Sequence, residues 1–136
     1  MMRQLAMSYA LILAMAGVVS ACDQTRVATP ASYEAVEYVS ANSELIGDGL
    51  VKVSASVKNA QSDKFASDFA ACVAARYALL RGFGFARLVT DTVTRSDDIR
   101  TATSVFSISA RLPAGVRKLD AEVVAVNCAE NGIPMV

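Results

Sequence analysis

The chain contains no histidine and no tryptophan. The first absence excludes Ser/His and Cys/His catalysis, histidine-ligated metals and the commonest general base. The sequence also has no Gly-x-Ser-x-Gly, no phosphate-binding glycine loop and no Cys-x-x-Cys. A glycosidase would lack the tryptophan that most often stacks on a sugar ring. We therefore expect a protein that is not an enzyme, with no catalytic residue, no cofactor and no metal.

The chain also has no stretch that is rich in charge of one sign. Lys plus Arg and Asp plus Glu number 13 each, and no run of like charge exceeds two residues. This balance argues against a nucleic-acid partner and against a polybasic patch for anionic lipids. Asp91, Asp97 and Asp98 could be paired catalytic carboxylates, but the neighbouring Arg95 and Arg100 favour a solvated turn.

The N-terminus has the three parts of an export signal. Arg3 precedes an uncharged run from Leu5 to Ala21, and this run ends in small side chains. The run is at the lower limit for spanning a bilayer, so a permanent transmembrane anchor is the alternative. Val19-Ser20-Ala21-Cys22 resembles the lipobox of bacterial lipoproteins. That resemblance implies cleavage before Cys22, diacylglycerol on its thiol and an acyl chain on the new amine.

The lipobox divides the chain and gives it a location. Residues 1–21 are expected to be a signal peptide, residues 22–32 the lipidated cysteine and a flexible tether, and residues 33–136 one periplasmic domain. One acyl chain alone binds a bilayer weakly, whereas the three implied for Cys22 hold a protein permanently. Asp23 follows the cysteine, as in enteric lipoproteins kept at the inner membrane. We therefore favour the periplasmic face of the inner membrane over the outer membrane.

Alternating apolar residues predict strands within the domain. Residues 50–58 alternate cleanly, residues 85–95 are rich in β-branched side chains, and residues 103–112 alternate again, so that the last two segments form a hairpin. Residues 33–40 are either an edge strand or part of the tether. Residues 119–128 are read as a final strand, with a short helix as the alternative.

One helix is predicted between the first two clear strands. Ser62 can cap it, Asp63 lies in its first turn, and Gly82 follows its end. At 100° per residue, the larger apolar side chains fall on one stripe: Phe65, Phe69, Cys72, Val73, Leu79, Leu80 and Phe83. We therefore predict an α+β two-layer sandwich, with one long amphipathic helix packed on a mainly antiparallel sheet of three to five strands.

The junction at residues 77–85 (YALLRGFGF) carries a second resemblance. It is similar to a group of small proteobacterial lipoproteins of uncharacterised function, in which an amphipathic helix ends in a Gly-aromatic pair and runs into a strand. The similarity covers residues 50–95. It implies the fold and the membrane location but no chemistry.

Two features of the mature domain remain as candidate sites. With Cys22 lipidated, Cys72 and Cys128 are an even pair in an oxidising compartment, either bonded, free and buried, or a redox or metal pair. Arg76 falls within the apolar stripe at helical spacing. Either its stem packs while its head reaches the sheet edge or an acidic partner such as Asp91 or Glu122, or it is an anchor for a ligand or protein.

Two classes of function follow for the mature domain. The first is a membrane-anchored, non-catalytic module that binds another envelope protein or contributes to envelope structure. The second is a domain that holds a small apolar ligand or lipid in a groove between helix and sheet. The first is favoured, because Ala and Ser dominate the sequence and the apolar positions are used by helix-on-sheet packing.

Overall fold

The computed structural model describes residues 35–115 and 117–136. They form five strands and two helices in the order ββαβββα: β1 (Glu37–Gly47), β2 (Leu50–Lys58), α1 (Lys64–Leu80), β3 (Phe85–Ser96), β4 (Ile99–Ser109), β5 (Lys118–Asp120) and α2 (Ala121–Glu130). The predicted signal peptide, Cys22 and the tether lie outside the described residues.

The five strands make one sheet with the order β1-β2-β4-β3-β5, and every neighbouring pair is antiparallel. Two short turns build most of it. Asp48 and Gly49 join β1 to β2 in a two-residue turn whose second residue, Gly49, has a φ of 69°. Asp97 and Asp98 join β3 to β4 in a two-residue turn whose first residue, Asp97, has a φ of 54°. Helix α1 connects β2 to β3, which run parallel on either side of β4.

The core lies between α1 and one face of the sheet. Val51, Val53, Ala55 and Val57 of β2 are fully buried, as their alternation predicts. Helix α1 meets them with a face rich in small side chains: Ala66, Ala70, Ala74, Ala75 and Ala78, beside Phe65, Phe69, Cys72 and Val73. Alanines allow the helix axis to approach the sheet closely, because they project little beyond the backbone.

The predicted fold class is wrong. The structure is a five-stranded antiparallel sheet with two short helices, and the sheet holds most of the residues in regular secondary structure, in place of the expected single long helix packed on a sheet. The final strand predicted at 119–128 is instead β5 followed by α2. Asp120 explains this, since its carboxylate accepts hydrogen bonds from the backbone N–H of Glu122 and Val123 and so caps a helix.

Smaller corrections concern where elements begin and end. The N-cap of α1 is Asp63 and not Ser62, and its side chain makes no capping bond to the helix. Strand β4 begins at Ile99 and ends at Ser109, so Leu112, which the predicted strand at 103–112 included, lies beyond it and is 62% exposed. The strand at 50–58 is confirmed, and so is the hairpin that the strand at 85–95 forms with the strand after it.

Candidate functional site

A groove runs along the flank of α1. Where α1 faces β3 and β4 it encloses a cavity of about 170 Å³, lined among others by Leu88, Asp91 and Phe106. A second cavity of about 310 Å³ lies between α1 and α2. Asp68, Ala71 and Leu119 line both, so the two cavities adjoin along the helix.

A hydroxyl–carboxylate–hydroxyl array lies at the wall of this groove. Ser104, only 1% exposed, donates its hydroxyl to Oδ1 of Asp91 at 2.7 Å, and Ser67 of α1 donates to Oδ2 at 2.7 Å. A carboxylate is far too weak a base to ionise a serine, and no imidazole is present to do so. The array therefore ties α1 to the sheet and does not resemble an activated nucleophile.

A second polar cluster joins the start of α1 to the β3–β4 hairpin. Oδ1 of Asp63 accepts from Nε of Arg95 at 2.9 Å and from Nη1 of Arg100 at 2.5 Å. Arg100 also donates from Nε to the carbonyl of Ala60 at 3.0 Å. Hydrogen bonds from Arg95 first and Arg100 second hold the pKa of Asp63 below its ordinary value of 3.8. This cluster fixes the end of the hairpin against the helix.

The three candidate carboxylates are not brought together. Asp91 lies within β3, whereas Asp97 and Asp98 form the turn beyond it, about 20 Å along the strand from Asp91. Asp98 faces Nζ of Lys58 at 3.7 Å instead. Within residues 35–115 and 117–136, no group of three or more Asp, Glu or Cys side chains could hold a metal ion.

Cys72 and Cys128 form a disulfide, with 6.0 Å between their Cα atoms. Both are buried, and both line the cavity between the two helices. The bond therefore holds α2 against α1 and closes one side of the groove. A bonded, buried pair has no thiolate to offer a metal or a substrate.

Arg76 lies outside the core, so its expected place in the apolar stripe is wrong. The residue is exposed, and among the described residues no acidic side chain contacts it. Phe65, Phe69, Cys72 and Val73 of the predicted stripe are buried, and alanines complete the buried face of α1. Arg76 and Leu80, which is 72% exposed, lie outside that face. A binding role for Arg76 stays a hypothesis.

The two edges of the sheet differ. The outer edge of β1 carries irregularities at Val39 and Ile46, which break the register with β2, and such bulges disfavour pairing with a further strand. On the other side, β3 has one irregularity, at Val89, and β5 pairs with it only from Phe85 to Arg87. From Thr90 to Ser96, no strand of the described chain pairs with the outer side of β3. We call this segment the β3 free edge.

The face of the sheet opposite α1 is partly or fully exposed and carries short polar side chains in rows across four strands. One row runs Ser40, Ser56, Thr101, Thr94, and the next runs Asn42, Ser54, Thr103, Thr92. Ser56 and Thr101 share a hydrogen bond of 2.8 Å between their hydroxyls. We call these residues the hydroxyl face.

Sequence reasoning missed Ser67 and Ser104 as partners of Asp91. A signal for Ser104 was available, because it stands two residues before Phe106, in phase with the buried side of β4. A serine in an apolar phase predicts a buried hydroxyl that needs an acceptor. No comparable signal marks Ser67, since its contact joins residues 24 positions apart.

No helix of the described residues is both long and apolar enough to cross a membrane. In comparisons with known proteins, the family model of the YNQ4 C-terminal domain matches residues 38–132. No curated protein matches the chain, and no solved structure matches it. The matched segment takes in nearly the whole folded unit, from the first residues of β1 past the end of α2. The chain therefore belongs to the family of the YNQ4 C-terminal domain.

Proposed function

We propose that this protein is an envelope lipoprotein, anchored through lipid on Cys22, whose folded domain binds another protein without catalysing a reaction. The observation that carries the binding role is the β3 free edge. From Thr90 to Ser96, the backbone N–H and C=O groups that point away from β4 have no strand partner within the described chain. Such an edge is a template for a further strand, and backbone pairing is a recurring mode of protein recognition.

The side chains of the edge support this role. Thr90, Thr92 and Thr94 lie on the side of the sheet that carries the hydroxyl face. Asp91 and Arg95 lie on the side that carries α1. Threonine, like the other β-branched residues, favours extended backbone. The Asp91 and Asp63 clusters hold this strand against α1, so the edge is presented in a fixed geometry and loses little entropy on binding.

Lipid anchoring would strengthen such a contact. Two proteins confined to one membrane surface have a raised effective concentration, so that a contact of modest area can be occupied. A rigid domain on a short tether is suited to this arrangement.

The experiment is site-specific photo-crosslinking of the full-length lipoprotein in intact membranes. A photoreactive residue replaces Thr92 on the edge, and the matched control replaces Glu130, an exposed residue at the end of α2. We expect a protein adduct from position 92 and none from position 130. Absence of an adduct at position 92, or equal adducts at both positions, contradicts the proposal.

The groove supports a second candidate, a small apolar ligand or lipid. Its larger cavity, about 310 Å³, is within the size range of ligand sites, and Leu119 and Val124 line it beside the disulfide. Leu119→Trp would fill the groove where the cavities meet, and Leu112→Trp, at an exposed site, is the control. A fluorescent fatty-acid analogue that binds the wild type and the control but not Leu119→Trp would favour this function over the first.

A further inference from the structure

The residues along the β3 free edge are self-complementary. From Thr90 to Ser96 the sequence reads TDTVTRS, with Val93 at its centre. Asp91 and Arg95 stand two positions on either side of Val93, and Thr92 and Thr94 stand one position on either side. An antiparallel strand of the same sequence, centred on Val93, would therefore place unlike charges opposite each other and threonine opposite threonine.

We infer that the edge binds a second copy of this chain, antiparallel about a two-fold axis through Val93, to make a continuous ten-stranded sheet from two five-stranded ones. This inference rests on the proposed protein-binding function and names its partner. A two-fold interface of this kind uses the same surface on both copies and closes on itself, so it produces a dimer and not a filament.

The charges select one register. Centred on Val93, each Asp91 lies opposite the Arg95 of the second copy, on the helix-bearing face of both sheets. Centred on Asp91 or on Arg95, the pairing would place like charges directly opposite each other. Centred on Thr94, it would place Asp91 opposite Asp97. Of these four registers, only the one centred on Val93 gains two cross-strand ion pairs.

The existing contacts of these side chains are compatible with such pairs. Arg95 uses Nε for Asp63, and a guanidinium has further N–H groups with which to reach a second carboxylate. Asp91 accepts one hydroxyl on each oxygen, and each carboxylate oxygen can accept more than one hydrogen bond.

The end of β5 adds a further complementary contact. The N–H of Leu88 donates to the carbonyl of Arg117 at 3.1 Å, so β5 stops where the free edge begins. In the register centred on Val93, the β3–β4 turn of the second copy, with Asp97 and Asp98, comes next to this point. An exposed acidic turn would then face the exposed basic pair formed by Arg117 and Lys118.

The topology leaves room for this arrangement. Strand β1 lies at the opposite side of the sheet from the free edge, with β2 and β4 between. Pairing through β3 therefore leaves β1, and the point where the described chain begins, at the two outer sides of the dimer. Both copies can then be anchored in one membrane.

The first test is disulfide trapping of the full-length lipoprotein in its membrane. Val93→Cys places two thiols across the two-fold axis, where opposed Cα atoms of antiparallel strands are about 4.5–5.5 Å apart, within the range of a disulfide. Val39→Cys puts a thiol on the other edge and is the matched control. We expect a reductant-sensitive dimer from Val93→Cys and a monomer from Val39→Cys. A monomer from both, or equal dimer from both, overturns the inference.

A charge exchange gives an independent test of the register. Asp91→Arg alone and Arg95→Asp alone each place like charges opposite each other, so each purified variant should be monomeric in detergent. An equal mixture of the two restores two ion pairs and should form a heterodimer, detected by co-purification of differently tagged chains. Homodimers of either variant, or no heterodimer from folded chains, contradict the register. Adducts at position 92 with a different protein only, together with monomeric Val93→Cys, would reject the second copy but retain the proposed function.

Discussion

Removal of the Cys72–Cys128 bond is the largest single perturbation that the structure predicts for stability. The two residues are 56 positions apart, and the loop they close contains β3, β4 and β5. For a loop of this length the chain-entropy model gives about 4 kcal/mol of stabilisation. For a domain of roughly 100 residues, 1 kcal/mol shifts the Tm by about 4–8 °C. The double variant Cys72→Ala/Cys128→Ala should therefore unfold roughly 15–30 °C lower.

Urea unfolding of the full-length protein in detergent measures this loss directly. The wild type should lose about 4 kcal/mol when dithiothreitol is added, and the double variant should not respond to it, which makes the variant its own control. A loss under about 1 kcal/mol in the variant, at unchanged dependence on urea, would refute the argument from loop closure. Reaction of denatured, unreduced wild type with a thiol reagent at Cys72 or Cys128 would refute the bond itself.

Three further changes test the contacts described above. Asp63→Asn should lower the free energy of unfolding at neutral pH. Because the pKa of Asp63 is held below 3.8 in the folded state, the difference in unfolding free energy between variant and wild type should disappear as the pH falls through that lowered pKa. A difference that persists in strong acid would contradict this. Ser104→Ala should lower the free energy of unfolding in urea by about 1.5–3 kcal/mol, since it removes a buried hydrogen bond to a carboxylate. Ser107→Ala on the opposite face should lower it by almost nothing, and equal losses would contradict the contact between Ser104 and Asp91. Gly82→Ala should destabilise the folded state by about 1–2 kcal/mol, because residue 82 has a φ of 79°. Gly84→Ala, in open space without a positive φ, should be neutral in the same thermal unfolding assay. A larger loss from Gly84→Ala than from Gly82→Ala would contradict the role of Gly82 at the helix end.

Local patterns predicted the parts of the fold that local physics decides. Strand β2 shows clean alternation because one side of it is buried and the other is wet, and its predicted limits coincide with the structure. Helix α1 ends before Gly82 because glycine adopts the left-handed conformation without a steric cost. The Asp48-Gly49 pair is an equally local signal of the first hairpin, although only the first residues of β1 were predicted as a possible strand.

Tertiary contacts decided the rest. The valines at 123 and 124 and at 126 favour a strand by propensity, but Asp120 caps a helix there and the bond through Cys128 holds that helix on α1. The large apolar side chains predicted part of the inward face of α1, since Phe65, Phe69 and Val73 are buried, but they gave no sign that alanines make up the rest of it. The tie between Ser67 and Asp91 depends on a pairing that appears only when the helix is docked.

The most direct test of the central claim is the intact mass of the mature protein, purified in detergent from the membranes of a bacterium that makes lipoproteins. We expect a chain that begins at Cys22 and carries the mass of diacylglycerol with one further acyl chain. We also expect Cys22→Ser to give an uncleaved precursor without lipid. A wild-type chain that starts at another residue, or that starts at Cys22 with no added lipid and stays in solution without detergent, would contradict it.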